Sequence, residues 1–256
     1  MTAVRWLALA PFLAIGPPSD VLQRVAGEYY RGDGRGLSVT LSLTADATYS
    51  FTWGGHLGSY ADTKGTFRLD GSSLALEPSV ALAPAEALML PSKFVVVRWA
   101  HRVYLIPEAE GANFAAHVSR GEEPRTDRYG WFLLRRPDWE KPPQGLPQLP
   151  TEWQKWLLRA PVEARITRAL ARHRAEIDVG AKGSVNPGLV LTLVSKKYGW
   201  TDVRVVSVTA NSSIIENDYG DPPLLVRIPE HRDRRFRPNV IRDSGITIAD
   251  SGDSDR

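Results

Sequence analysis

Residues Gly27 to Pro78 read GEYYRGDGRGLSVTLSLTADATYSFTWGGHLGSYADTKGTFRLDGSSLALEP. Short runs of alternating apolar residues recur there between Gly- and Asp-containing turns, the pattern of an antiparallel β-meander. Leu37, Val39, Leu41 and Leu43 alternate with small polar residues, so one face of that strand is buried. Tyr49, Phe51 and Trp53 give the next strand an aromatic inner face, and Gly54-Gly55 reads as its break. Phe67/Leu69 and Leu74/Leu76 flank Asp70-Gly71, a strong hairpin signal.

Working outward, Val21 to Tyr30 leads into the first strand, and Val80 to Pro91 reads as a covering loop or single helical turn. Lys93–Trp99 and Arg102–Ile106 form a further strand pair turning near Ala100-His101, and Gly130–Leu134 closes the sheet. Between them, Ala109 to Arg120 is a short helix that Gly121 can end. The segment PDWEKPPQGLPQLP, residues 137–150, holds five prolines and reads as a semi-rigid linker between domains. A short helix, Glu152 to Leu158, follows; Trp153 and Trp156 share one of its faces and dock the linker onto a domain. Three strands then stand out: Leu189–Val194, Val203–Thr209 and Ser212–Ile215. Val162, Ile166 and Leu170 have helical spacing, whereas Ile177, Val179 and a Gly-rich turn suit strands.

The expected architecture is mainly β. A signal segment (1–19) precedes a meander or small barrel with one short helix (20–136). Then come the linker and short helix (137–160), a second small β-barrel (161–229) and a disordered tail (230–256).

Composition narrows the chemistry. The 256 residues include no cysteine, which excludes disulfides, thiolate metal sites and a cysteine nucleophile. The formal charge of +3 has no concentrated basic face, an argument against dedicated nucleic-acid binding. Arg5 followed by the apolar run Trp6–Ile15 suits a secretory signal, because about twenty apolar residues are needed to span a bilayer. Export to the periplasm or cell surface is the expectation; an ordinary buried N-terminal segment of a cytoplasmic protein is the alternative.

Four stretches carry a family likeness: Gly27–Trp53, Gly54–Phe67, Val97–Arg125 and Gly145–Ala164. Together they resemble a family of uncharacterised exported bacterial proteins over residues 25–165. In that family cysteines often stand near the positions of Ser38, His56 and Ala115, where this chain has none. A second stretch, AEIDVGAKGSVNPGLVLTLV (Ala175–Val194), resembles small β-barrel modules of bacterial envelope and flagellar proteins, spanning residues 163–216. Gly180, Val185 and Gly188 match that pattern; Ser184 replaces a usual Gly and Leu189 a usual Met. The likeness implies architecture rather than chemistry, and makes Ala164–Leu170 a strand. Glycines at 180, 183 and 188 suit turns of positive φ.

No complete catalytic constellation is visible, and neither a cofactor fingerprint nor a metal cluster is. The five histidines show neither H-x-H nor H-E-x-x-H. Gly32-Asp33-Gly34-Arg35-Gly36 resembles an anion nest in composition but lacks the strand and helix of a phosphate loop. His56 with Asp62 is a weak candidate for general-base work, with Ser59 nearby. Glu108, Glu110, Glu122 and Glu123 cluster around the short helix, where solvated charges explain them. His231 to Arg237 carries four arginines in the expected tail.

Tyr29, Tyr49, Phe51, Trp53 and Tyr60 are the candidate ligand-binding residues, able to stack on a sugar or apolar ligand if they line a barrel cavity, or to form a plain core if they do not. The leading functional expectation is a non-enzymatic envelope protein, binding a ligand or an envelope partner. A hydrolase built on His56 with a nearby acid and a structural spacer are the alternatives.

Overall fold

The computed structural model describes residues 19–32, 36, 38–124, 132–160, 162–171, 173–195, 199–217 and 240–242. Eight strands form a closed, antiparallel, up-and-down barrel: β1 (Gly27–Gly32), β2 (Ser38–Leu43), β3 (Thr48–Gly55), β4 (Gly58–Asp70), β5 (Ser73–Pro78), β6 (Lys93–Trp99), β7 (Arg102–Pro107) and β8 (Leu133–Arg135). Each strand pairs with the next, and β1 pairs with β8. The sequence signals explain the ladder. In β2 every second residue is buried, as its alternation requires. Gly71, at φ +57°, turns β4 into β5, as the Asp-Gly pair predicts.

Two expectations about this first sheet need correction. Gly54-Gly55 does not break β3, which runs through Gly55; the turn is His56-Leu57, and the following strand is 13 residues long. The segment before β1 is helical, α1 (Ser19–Val25), and starts within the expected signal segment. Residues 1–18 of that segment lie outside the described residues. Tyr29 Oη donates to the Val25 carbonyl at 2.7 Å, which ties α1 to β1.

The barrel has apolar residues on both sides of one wall. Phe94, Val96, Val103, Leu105 and Leu133 point inward. Val95, Val97, Tyr104, Ile106 and Leu134 point outward, under the helix α3 (Gly111–Ser119). All six residues of β7 are buried, so its uninterrupted apolar run is that of a strand covered on both faces. A 3-10 turn, Glu108–Glu110, precedes α3, so the helix is shorter than the sequence suggests. The covering segment holds one short helix, α2 (Pro84–Met89).

Strand β8 closes the barrel with only three residues, two of them paired to each neighbour. It is shorter than expected; residues 130 and 131 lie outside the described residues. Side chains complete the closure. The fully buried Asp138 carboxylate accepts hydrogen bonds from the Val103 amide (3.1 Å), Arg135 Nε (2.8 Å) and Lys141 Nζ (2.6 Å). Arg102, 2% exposed, donates to Glu123 (2.7 Å), to the Trp139 carbonyl (3.2 Å) and to the Lys141 carbonyl. The Pro-rich segment therefore does not span free between domains. It lies on the first barrel, where the Trp99 indole donates to the Gly145 carbonyl at 2.9 Å and Leu149 is buried.

The second unit contains β9 (Ala164–Ala171), β10 (Arg174–Ile177), β11 (Val190–Ser195), β12 (Gly199–Val208), β13 (Ser213–Glu216) and β14 (Val240–Arg242). The first five curl into an antiparallel sheet, and β14 completes the ring by parallel pairing with β11 and β9. So Ala164–Leu170 is strand, and Val240–Arg242 of the expected disordered tail is too; the rest of residues 230–256 lies outside the described residues. The glycine reading also needs correction. Gly188 takes φ +83°, but Gly180 and Gly183 do not take a positive φ. A Cβ on Gly180 would sit 2.4 Å from the Thr209 carbonyl, so close approach demands the glycine. The left-handed residue of this turn is Ser184 (φ 65°).

Burial acts to raise the Asp138 pKa, but the hydrogen bonds from Arg135 and Lys141 outweigh it and hold the carboxyl below its ordinary range. A depressed folded pKa means stability that is present above the unfolded value, about 3.9, and lost as pH falls through the folded one. Asp138→Asn is expected to destabilise the protein at neutral pH by about 1–3 kcal/mol, since the buried carboxylate's hydrogen bonds from Val103, Arg135 and Lys141 are lost or weakened. Urea denaturation from pH 7 to pH 2 checks this: the variant should lose less stability than the parent below about pH 4.

Candidate functional site

On the outer side of the β1–β4 wall lies a groove of about 540 Å³. Gly54 and Gly58 leave it open, Gly36 and Gly55 line it against the His56 and Tyr60 rings, Ser38, Thr52 and Ser59 contribute hydroxyls and Tyr30 a phenol ring. Alternation puts them there. Val39, Leu41 and Phe51 fill the barrel, so Ser38, Thr52 and Gly54, of opposite parity, face outward. Tyr30 is held from behind, its ring 5.1 Å from Trp139 and 5.2 Å from the Arg136 guanidinium.

The rim is aromatic and partly apolar. Tyr60 lies against Gly55, where a Cβ would meet its ring at 2.2 Å, and its centroid is 4.8 Å from that of Trp53. His56 lies against Gly36 in the same way. Leu57, at the tip of the β3–β4 hairpin, is 91% exposed, and Tyr60 is 43% exposed. The buried Trp53 Nε1 beneath Tyr60 finds no hydrogen-bond acceptor among the described residues.

Of the candidate ligand-binding residues, Tyr29, Tyr49 and Phe51 are core, each at most 3% exposed. The aromatic face of β3 therefore closes on a packed interior, with Trp53 half-buried at its edge and Tyr60 of β4 exposed. Burial raises the pKa of the Tyr29 and Tyr49 phenols. His56 and Asp62 are not brought together: Asp62 sits opposite Thr52 in the ladder, exposed, and His56 has no hydrogen bond or ion pair with any described residue. The four glutamates have separate surroundings. Glu108 is exposed, Glu110 accepts from Asn113 (2.6 Å), Glu122 faces His117 and Arg120, and Glu123 binds Arg102. Residues 33–35 of the glycine-rich nest and His231 to Arg237 lie outside the described residues.

The second arrangement of side chains is the joint between the barrels. Helix α3 is buried on all sides. Phe114, Ala115 and Val118 face the first barrel, whereas Ala112 and Ala116, one turn apart, meet Val190 of β11. The expected linker helix is a single turn, α4 (Thr151–Gln154), and its tryptophans divide the work. Trp153, 2% exposed, packs on Gly111, and Trp156 packs on Gly188 and donates to the Pro187 carbonyl at 3.0 Å. At the end of α3, Arg120 donates to Thr192 Oγ1 (2.9 Å) and approaches Asp202 (3.5 Å) across the joint. It also reaches back to Glu122 (3.0 Å) and the His117 ring (3.1 Å).

No group of three or more His, Asp or Glu side chains among the described residues is placed to hold a metal ion. No helix among them is long and apolar enough to cross a membrane. No family model, curated protein or solved structure matches the chain.

The joint has a direct test. A Cβ on Gly111 would lie 2.3 Å from the Trp153 ring, so Gly111→Ala should destabilise the protein by about 1–3 kcal/mol. In chemical denaturation, Gly111→Ala combined with Trp153→Leu should lose less than the sum of the two single losses, because the smaller side chain absorbs the methyl.

Proposed function

We propose that this is a non-enzymatic bacterial envelope protein that acts as a binding module, with the groove on the outer wall of the first barrel as its recognition surface. The observation that carries this reading is the bare, hydroxyl-lined groove itself, beside an exposed Leu57 and Tyr60. It lies on a closed barrel, whose strands are all paired, so the site is held rigidly rather than on a long loop. The volume falls in the usual range for small-molecule sites, about 300–1,000 Å³.

The envelope location rests on the N-terminal apolar run after Arg5 and on the resemblance to exported proteins over residues 25–165. The resemblance of residues 163–216 to envelope and flagellar barrel modules supports the same location. Both barrels being joined through a buried helix suits a module that presents one surface at a fixed angle to another.

Cell fractionation with N-terminal mass spectrometry tests the location. The expected result is a chain in the periplasmic or surface fraction that has lost its first residues near Gly16. A chain with Met1 intact, confined to the cytosol, overturns the envelope reading.

A further inference from the structure

We propose that the groove binds a neutral saccharide, taking the edge of a sugar ring over the open backbone at Gly54 and Gly58. The inference rests on the groove being a recognition surface and adds the class of ligand.

Gly54 carries the argument furthest. Its φ is not positive, and a Cβ added there would meet nothing closer than the Gly58 carbonyl at 3.6 Å, an ordinary contact. Neither backbone conformation nor crowding requires a glycine at this place, and glycine inside a strand weakens it. Gly58 is similarly open, with no atom within 4 Å of its Cβ position, although its φ of +116° does favour glycine. What the glycine at 54 does is leave the floor bare, so that a ligand can approach the backbone of β3 and β4.

The lining selects the ligand. Among the described residues that line it, none carries a carboxylate, ammonium or guanidinium, so none of them compensates a charged ligand. It is also unsuited to a fully apolar molecule, because Ser38, Thr52 and Ser59 put hydroxyls along it. A saccharide matches both features. Its hydroxyls exchange hydrogen bonds with serine, threonine and exposed backbone groups, and its C–H face lies against an aromatic ring. Tyr30 offers that ring within the groove, and Tyr60 stands at the rim.

The test is a titration of the ¹⁵N-labelled full chain, followed by amide shifts, with three uncharged probes. These are a glucose trimer, an N-acetylglucosamine trimer and an extended peptide of alanine and serine with blocked ends. The expected result is a saturable shift of the Gly54, Gly55, Gly58 and Ser59 amides with at least one saccharide and none with the peptide. Gly54→Val, which fills the floor, should weaken that binding at least about tenfold without lowering the melting temperature. If that variant fails to fold, Thr52→Val, which keeps the shape and removes one hydroxyl, should weaken binding about threefold or more. Undiminished binding by a folded Gly54→Val, or by Thr52→Val in its place, overturns the proposal. A groove that responds to the peptide and to neither saccharide overturns the ligand class and keeps the recognition surface. A groove silent to all three probes overturns both.

Discussion

The arrangement of the two barrels depends on two missing side chains. Gly111 and Gly188 each leave a flat space into which one tryptophan of the segment Trp153-Gln154-Lys155-Trp156 fits. An indole buries a large area, and Trp156, packed against the cores of both units beside Trp153, joins them through more surface than the few polar contacts across the joint. The rest of the joint follows from that proximity. Ala112 and Ala116 are small enough to let β11 approach α3, and Leu158 can donate its amide to Ser119 Oγ at 2.9 Å. Arg120 then bridges to Thr192 and Asp202 while 5% exposed, a position that only a fully hydrogen-bonded guanidinium tolerates.

The same economy shapes the first barrel. A three-residue closing strand leaves few ladder hydrogen bonds, and an open seam would expose unpaired backbone. Asp138 takes the place of a neighbouring strand by accepting the Val103 amide, and Arg102 binds two carbonyls of the departing chain. Both groups are buried, and each lies among partners of opposite charge or matching polarity. This seam also fixes where the chain leaves the barrel, so it sets the path by which Trp153 and Trp156 reach the joint.

Much of this was legible in the residues. Period-two alternation marked β2, β3 and β5, and β6 and β7 were legible as a strand pair, though not that both their faces are covered. The Ala-rich helix was visible too. The groove was not, for a physical reason. Aromatic residues at 49, 51 and 53 drew attention to the inner face, whereas the groove is made by the opposite parity, Ser38, Thr52 and Gly54. The only signal there was Gly54-Gly55, which reads as a break because glycine disfavours strands; pairing with Ser38 and Ser59 overrides that preference. Trp153 and Trp156 were legible as a pair on one face, but a turn that ends at Gln154 sends them to different partners. Gly180 and Ser184 show the same limit: composition suggests glycine at a left-handed position, and only the approach of Thr209 shows which residue is needed for space.

Closing and filling the barrel has a consequence for where binding can occur. Tyr29, Tyr49, Phe51 and Phe67 occupy the interior, and buried aromatic rings leave little room between them. Helix α3 covers the outer wall at β6, β7 and β8, and Trp139 covers part of β1. The outer side of β2, β3, β4 and β5 is left without such a cover among the described residues. It is also where the strands carry their glycines and hydroxyls. A wall that only had to stay soluble would be served by lysine, glutamate and threonine, which favour solvent and carry no gap. Lys64 and Arg68, farther along β4, fit that description. Along one strand the outward residues change from Gly58 and Ser59, which line the groove, to the charged Lys64 and Arg68.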